Sequence, residues 1–107
     1  MTMFSVNPQS GEQFAEFETW DDETLSEVIL QASYEFEDWS KLTPLADRCL
    51  LLKRMADVLR DDQELLAELI TLEMGKLFTE SMAEIEKCAV LCDYYAENAQ
   101  IHLADEV

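Results

Sequence analysis

Glycine and proline are scarce in this sequence, with two of each among 107 residues. Because Gly11 and Gly75 are the only glycines, no glycine-rich loop that cradles a phosphate can be built. Few turn-forming residues also argue against a sandwich, a barrel or a flexible linker. About half of the residues are hydrophobic and ten are aromatic, so a core can form, which argues against wholesale disorder. We therefore expect one small, mainly α domain.

Positive charge is also in short supply, since 24 acidic residues face 7 basic ones and the net charge is −17. Such a chain repels phosphate backbones and anionic membrane surfaces, which argues against nucleic-acid and membrane partners. The acids are spread along the chain, which is typical of solvated helix faces. The alternative is an acidic surface that binds a basic partner.

Long hydrophobic runs are missing too, because no stretch approaches the roughly 20 residues that cross a bilayer. The N-terminus has neither the basic flank nor the apolar core of a secretion signal. Cys49, Cys88 and Cys92 are odd in number and lie within helical patterns, as in reduced proteins. These features predict a cytoplasmic protein.

Side chains that carry catalysis or bind metals are few. His102 is the only histidine, and Cys88 and Cys92, four residues apart, fit an apolar helix face better than a zinc site. The acids on the last helical segment lack the Glu-x-x-His pairs of a carboxylate-bridged metal site; they are Glu80, Glu84, Glu86 and Glu97. Core packing or interface packing explains the larger aromatic side chains more simply than an aromatic pocket does; they are Trp20, Trp39, Tyr94 and Tyr95. We predict no catalytic, cofactor-binding or metal-binding residue in this chain.

The pattern along the chain predicts a β-hairpin over residues 4–17 and then four helices. Asn7, Pro8 and Gly11 mark the turn of the hairpin, which needs another element to lie against. The predicted helices cover residues 21–39, 44–60, 62–74 and 78–103. Their start and stop signals are Asp21 or Asp22, Thr43 before Pro44, a capping-box-like Asp61 with Glu64, and Gly75.

Each predicted helix carries an apolar stripe at helical spacing. The first contains Leu25, Val28, Ile29, Ala32 and Phe36, with Trp39 at its end, and the second contains Cys49, Leu52, Met55, Ala56 and Leu59. The third contains Leu65, Leu66, Leu69 and Ile70. The fourth contains Phe78, Met82, Ile85, Cys88, Ala89, Cys92, Tyr95, Ala96, Ala99 and Leu103.

An ordered series of short motifs resembles the beginning of aldehyde dehydrogenases. It starts with an Asn-Pro-x-x-Gly-Glu opening at residues 7–12 and continues with a helix that ends in tryptophan and a helix containing Ala-x-Arg. Thr-Leu-Glu-Met-Gly-Lys then occupies residues 71–76, and the Tyr-Ala-Glu segment at residues 95–97 resembles the succinate-semialdehyde type. The likeness covers about residues 5–105. One departure is Leu77, where the family usually has proline.

The resemblance implies a single incomplete domain, residues 1–107, that is the N-terminal fragment of an NAD(P)-dependent enzyme. In that family the catalytic cysteine, the general-base glutamate and the nucleotide-binding segment all follow the part present in this sequence. The parent enzyme would oxidise an aldehyde to a carboxylic acid with NAD or NADP, whereas the fragment itself is expected to be inactive.

Helix stripes that normally cover a larger domain would remain partly exposed in such a fragment. Exposed apolar faces drive association, so we expect homo-oligomers formed through them. The alternative reading is a non-catalytic helical module that oligomerises or binds another protein.

Overall fold

The computed structural model describes residues 1–107 and contains a two-stranded antiparallel hairpin followed by four helices. The strands are β1 (Thr2–Val6) and β2 (Gln13–Glu18). The helices are α1 (Asp22–Leu42), α2 (Leu45–Asp61), α3 (Gln63–Met74) and α4 (Phe78–His102). The mainly α architecture with an N-terminal hairpin is confirmed. No helix is long and apolar enough to cross a membrane.

The hairpin pairs Thr2 with Glu18 at its open end and is closed by a turn that its own side chains support. The Asn7 side chain accepts a hydrogen bond from the Gln9 backbone N–H, 2.9 Å away. A bulge breaks the register between Ser5 and Val6. The strands reach further than the predicted span of 4–17, because pairing continues outward on both sides of the turn.

The hairpin lies against the C-terminal end of α3. Gly75 ends that helix in the left-handed conformation, with φ of 69°, and its backbone N–H donates to the Thr71 carbonyl. A Cβ placed on Gly75 would come within 3.1 Å of Pro8 Cγ. The prediction that the third helix ends at Gly75 is confirmed, and the end of that helix is the element against which the hairpin lies.

α1 is longer than predicted, since the helix runs through Ser40 and Lys41 to Leu42. The predicted break over residues 40–43 is wrong, because these residues have no helix-breaking feature before Pro44. Proline disfavours the helical conformation of the residue before it, and Thr43 is extended with φ of −109° and ψ of 100°. Asp21 caps the start of the helix by accepting the Thr24 backbone N–H at 2.8 Å.

Two predicted helix caps are wrong, although α2 and α3 each begin within one residue of the predicted start. Pro44, with ψ of 154°, is itself the residue before α2, and Thr43 contributes only its carbonyl, which accepts from Arg48 Nε at 3.0 Å. Asp61 belongs to the end of α2, so it cannot begin a capping box for α3. Asp62 precedes α3 without a side-chain capping bond. Asp62 is thus the single residue between the two helices.

The small core lies where α2 and α3 pack on α4. Its fully buried members are Ala56, Ala67, Ser81 and Ala89, and Ile85 is 7% exposed. Ser81 is a satisfied buried hydroxyl, because its oxygen lies 3.0 Å from Thr71 Oγ1. Gln63 Nε2 also donates to the Met82 carbonyl at 2.9 Å. Small side chains thus allow α2 and α3 to pack closely on α4, and the two hydrogen bonds join α3 to α4.

The predicted apolar stripes are only partly buried. In α3, Leu66 and Ile70 are half-buried, whereas Leu65 and Leu69 are exposed, because Ala67 faces α4 instead. In α4, four members of the predicted stripe are exposed, namely Phe78, Cys88, Tyr95 and Leu103, whereas the other six are buried or half-buried. The α1 stripe is entirely exposed, since α1 packs against no other element.

Candidate functional site

A cluster of ion pairs joins α2 to α4, and Asp93 is at its centre. The carboxylate of Asp93 lies 2.9 Å from Arg60 Nη2 and 3.3 Å from Lys53 Nζ. The hydrogen bond from Arg60, followed by that from Lys53, lowers the pKa of Asp93 below its ordinary value of 3.8. Asp93 is therefore held in its charged form and is not poised to take up a proton near neutral pH.

The two basic residues of this cluster are held by further acids. Arg60 donates to both carboxylate oxygens of Glu86 at 3.2 Å, and Lys53 donates to Glu97 at 2.8 Å. Hydrogen bonds to Glu86 and then Asp93 raise the pKa of Arg60, and those to Glu97 and then Asp93 raise the pKa of Lys53. Every shift stabilises the charged form, and the ion pairs of the cluster join α2 to α4.

A second surface runs along the side of α4 that faces away from the core. We call it the outer face of α4, and it is an open groove lined by Lys76, Glu80, Ala83, Glu84, Lys87, Cys88, Val90, Leu91 and Tyr94. Lys76 pairs with Glu84, and the hydrogen bond raises the pKa of Lys76. Lys87 and Glu80 have no ion pair within the chain. This surface is apolar along its length and balanced in charge.

The candidate metal ligands of the sequence do not converge. Cys88 is exposed and Cys92 is half-buried, and no group of three or more His, Cys, Asp or Glu side chains is placed to hold a metal ion. The four glutamates considered as a carboxylate site divide between two surfaces: Glu80 and Glu84 line the outer face of α4, whereas Glu86 and Glu97 belong to the ion-pair cluster with Arg60 and Lys53. Exposure of Cys88 contradicts the expectation that it packs as a buried apolar residue.

The aromatic pocket considered for two tyrosines and two tryptophans is not assembled. Tyr94 and Tyr95 meet edge to face with ring centroids 5.3 Å apart, and Tyr94 Oη lies 3.1 Å from His102 Nε2. His102 was missed as a partner of these rings, although its spacing of eight residues from Tyr94 places both on one side of a helix. Trp20 and Trp39 lie apart from this group, and both are exposed.

The apolar stripe of α1 is uncovered, because this helix contacts no other element. Its stripe leaves Ile29 61% and Phe36 65% exposed, and only five of the 107 residues of the chain are buried. The accessible surface is 8820 Å², whereas a folded monomer of 12.3 kDa exposes about 6,100 Å². The excess of roughly 2,700 Å² is as large as the interfaces of obligate complexes.

Comparison with known proteins identifies the origin of this arrangement. The profile of the aldehyde dehydrogenase family matches residues 1–107. The chain belongs to the aldehyde dehydrogenase family. The resemblance drawn from the order of the sequence motifs is thereby confirmed, and so is its succinate-semialdehyde character at the level of similarity.

Several named aldehyde dehydrogenases are similar over nearly the entire chain. A probable NADP-dependent succinate-semialdehyde dehydrogenase of Synechocystis is 35% identical over 107 residues, which are 100% of this chain and 23% of the relative. A succinate-semialdehyde dehydrogenase [NADP(+)] of Mycobacterium bovis is 37% identical over 106 residues, 99% of this chain and 23% of the relative. The chain thus spans about a quarter of the length of these aldehyde dehydrogenases.

The fold agrees with a solved member of the family. The crystal structure of a succinic semialdehyde dehydrogenase from Streptococcus pyogenes, in complex with NADP+, superposes with a TM-score of 0.88 at 35% identity. The match covers 94% of this chain and 22% of that chain. At most about seven residues fall outside it, so most of α1, which has 21 residues, is included. A helix without contacts here therefore occupies a position that the family fold defines.

Proposed function

We propose that this chain is the N-terminal segment of an NAD(P)-dependent aldehyde dehydrogenase of the succinate-semialdehyde type. The named relatives support this substrate class, and two of them carry NADP in their names. The whole enzyme would oxidise an aldehyde to a carboxylic acid and transfer hydride to the nicotinamide cofactor. The segment itself is proposed to be catalytically inactive.

The uncovered surface is the observation that carries this proposal. A chain that exposes roughly 2,700 Å² more than a compact monomer of its mass gains most from a partner of large area. The bare stripe of α1 and the position of that helix in the S. pyogenes enzyme fit a segment that packs against the remainder of a longer protein.

The glycines of this chain do not form the loop that holds the pyrophosphate in Rossmann-type dinucleotide sites. Pyrophosphate recognition needs closely spaced glycines before a helix N-terminus. Here Gly11 lies in the hairpin turn and Gly75 ends α3 against Pro8. We propose that cofactor and aldehyde both bind elsewhere in the enzyme. Three free thiols favour a reducing compartment, and we propose the cytoplasm.

An immunoblot with an antibody against residues 1–107 tests the proposal in the source cells. Because the chain has a mass of 12.3 kDa and covers 23% of its relatives, we expect a band at roughly 53 kDa. Immunoprecipitated material should oxidise succinate semialdehyde with NADP+ or NAD+. A band at 12.3 kDa alone would contradict the proposal.

An activity assay of the purified 107-residue chain is the second test, and it addresses the proposed inactivity of the segment. We expect no turnover of succinate semialdehyde with either nicotinamide cofactor. The Synechocystis relative, assayed beside it, shows that substrate and cofactor are competent. Turnover by the pure chain would refute its proposed inactivity.

A second candidate function is a free-standing helical module that binds another protein. The observation that favours it is the acidic, exposed α1, which carries six acids and one lysine around its apolar stripe. Salt-sensitive capture of one basic partner, together with a band at 12.3 kDa, would support this candidate over the dehydrogenase segment.

A further inference from the structure

We propose that Cys88 and Cys92 form a two-thiolate site on α4 for a soft, two-coordinate cation of the Cu(I) type. The two residues are four positions apart, and side chains at this spacing are neighbours on one helix face, with Cβ atoms about 5–6 Å apart. Neither thiol is engaged in a disulfide. The inference concerns residues of this chain alone and does not depend on the proposed dehydrogenase function.

The exposure of Cys88 changes what this pair can do. The sequence argument against a metal site had two parts, namely that buried cysteines on an apolar stripe explain the spacing and that zinc takes four ligands. Cys88 is exposed and Cys92 is half-buried, so an ion reaches the first thiol from solvent and meets the second beside the core. The requirement for four ligands applies to zinc and does not apply to an ion that binds two.

The separation of the two side chains fits a cation held in line between two sulfurs. With the zinc–sulfur bond of about 2.3 Å as a guide, two metal–sulfur bonds in line span about 4.6 Å. Sulfurs on Cβ atoms about 5–6 Å apart reach this separation by rotation about χ1. A disulfide needs Cβ atoms about 3.5–4.5 Å apart. The helix therefore separates the thiols enough to admit an ion and too far for an unstrained disulfide.

The turn of α4 that carries the two thiols is held in place by the rest of the fold. Ala89 lies between them in sequence and is fully buried, and Asp93, next to Cys92, forms ion pairs with Arg60 and Lys53 of α2. The helix spans Phe78–His102, so the pair lies far from both of its ends. Ligands that are already fixed lose little conformational entropy when they bind an ion.

The surroundings of the pair supply no third ligand, and this selects the type of ion. No three His, Cys, Asp or Glu side chains are placed together to hold a metal. His102 lies about 15 Å further along α4 than Cys92 and is hydrogen-bonded to Tyr94. Thiolates are soft ligands that favour Cu(I), whereas zinc requires a fuller set. Binding exchanges two thiol protons for one cation, and the net charge of −17 attracts cations to the chain.

Anaerobic titration of the reduced 107-residue chain with Cu(I), in competition with a chromophoric chelator such as bicinchoninate, tests the site. We expect one Cu(I) per chain, with two sulfur neighbours in its X-ray absorption spectrum. Cys88→Ser and Cys92→Ser should each lower the affinity at least about a hundredfold, because each thiol presents the other at a high effective concentration. Cys49→Ser should bind as wild type does, since Cys49 lies on α2.

A variant with the same number of thiols tests the spacing. Val90→Cys/Cys92→Val places the two thiols two positions apart, where side chains do not face each other, and it should bind Cu(I) as weakly as the single serine variants. Circular dichroism verifies that each variant is folded. Wild-type affinity in this variant or in Cys92→Ser, one Cu(I) shared by two chains, or Zn²⁺ bound as tightly as Cu(I) would each overturn the proposal. The immunoblot and activity assays of the dehydrogenase proposal are independent of these outcomes.

Discussion

Gly75 combines a backbone requirement with a packing requirement at the end of α3. Both glycines have positive φ, 75° at Gly11 and 69° at Gly75, so an alanine at either is strained. Only Gly75 has a neighbour in the way, because the added Cβ would be 3.1 Å from Pro8 Cγ. We expect Gly11→Ala to lower the free energy of unfolding by about 1 kcal/mol. We expect Gly75→Ala to cost about 1 kcal/mol more from crowding.

Urea unfolding of the two glycine variants separates these contributions, since each contains the same change of side chain. The difference between them reports how firmly the hairpin presses on the end of α3. Equal losses of stability would mean that the turn around Pro8 moves away without cost, and that the hairpin is held there only by its connection to the chain.

Asp93 makes a second prediction at the residue scale, through its lowered pKa. A carboxyl with a folded-state pKa below its unfolded value of 3.8 stabilises the fold above that value. The stability is lost as the pH falls through the folded-state pKa. We expect wild type to be more stable than Asp93→Asn at neutral pH, and the advantage to shrink below about pH 4.

Chemical unfolding as a function of pH checks the Asp93 prediction. Asp105→Asn is the matched control, because Asp105 lies beyond α4 and forms no ion pair. The control should follow wild type at every pH. A constant gap between wild type and Asp93→Asn down to the most acidic conditions would show that the lost interaction does not depend on protonation.

At the scale of elements, α1 differs from the other helices because nothing packs on it. Isolated helices are only marginally stable in water, and most helical stability in proteins comes from burying an apolar face. We expect backbone amides of α1 to exchange with solvent much faster than those around Ala89 in α4, measured by hydrogen–deuterium exchange at low protein concentration.

The N-cap of α1 sharpens this expectation. Asp21→Ala removes the acceptor for the Thr24 N–H and should speed exchange further in the first turns of α1. The exchange rates of α2, α3 and α4 should stay unchanged, since α1 does not contact them. Protection of α1 equal to that of α4 would contradict the uncovered arrangement.

The same contrast explains what could be predicted from the sequence. The helices and the hairpin follow from local signals, such as Asp21 at the start of α1 and Gly75 at the end of α3. The surface that covers each helix face does not follow from local signals. Periodicity shows that a stripe favours burial, but it does not show which other element buries it. Leu65 and Leu69 belong to a good apolar stripe, yet both are exposed, whereas Ala67, which lies outside that stripe, is fully buried.

The ion-pair cluster between α2 and α4 could not be predicted from the sequence either, because its partners lie far apart along the chain. Arg60 and Glu86 are 26 positions apart, and their pairing depends on the antiparallel packing of α2 on α4. The sequence does show which residues are available for such ion pairs, because four of the seven basic residues lie in α2 and many acids lie in α4. The absence of a catalytic residue in this chain stays a prediction, which the activity assay addresses.

For the whole molecule, the extended shape and the charge depend on each other. The radius of gyration is 18.5 Å, whereas a compact chain of this length has about 13 Å. The apolar stripe of α1 favours collapse onto the other helices, but six acids on α1 and a net charge of −17 oppose it. At low ionic strength this repulsion is least screened, so the open shape should be most favoured there.

Small-angle X-ray scattering, extrapolated to zero protein concentration, measures the outcome. We expect a radius of gyration near 18.5 Å at low salt, and a decrease as added salt screens the acids of α1. The variant Glu35→Gln/Asp38→Asn, which weakens the repulsion without adding apolar surface, should become compact at lower salt than wild type. A value near 13 Å under all conditions would show that α1 covers its own stripe within the chain. The excess surface would then vanish, and with it the main physical reason for a larger partner.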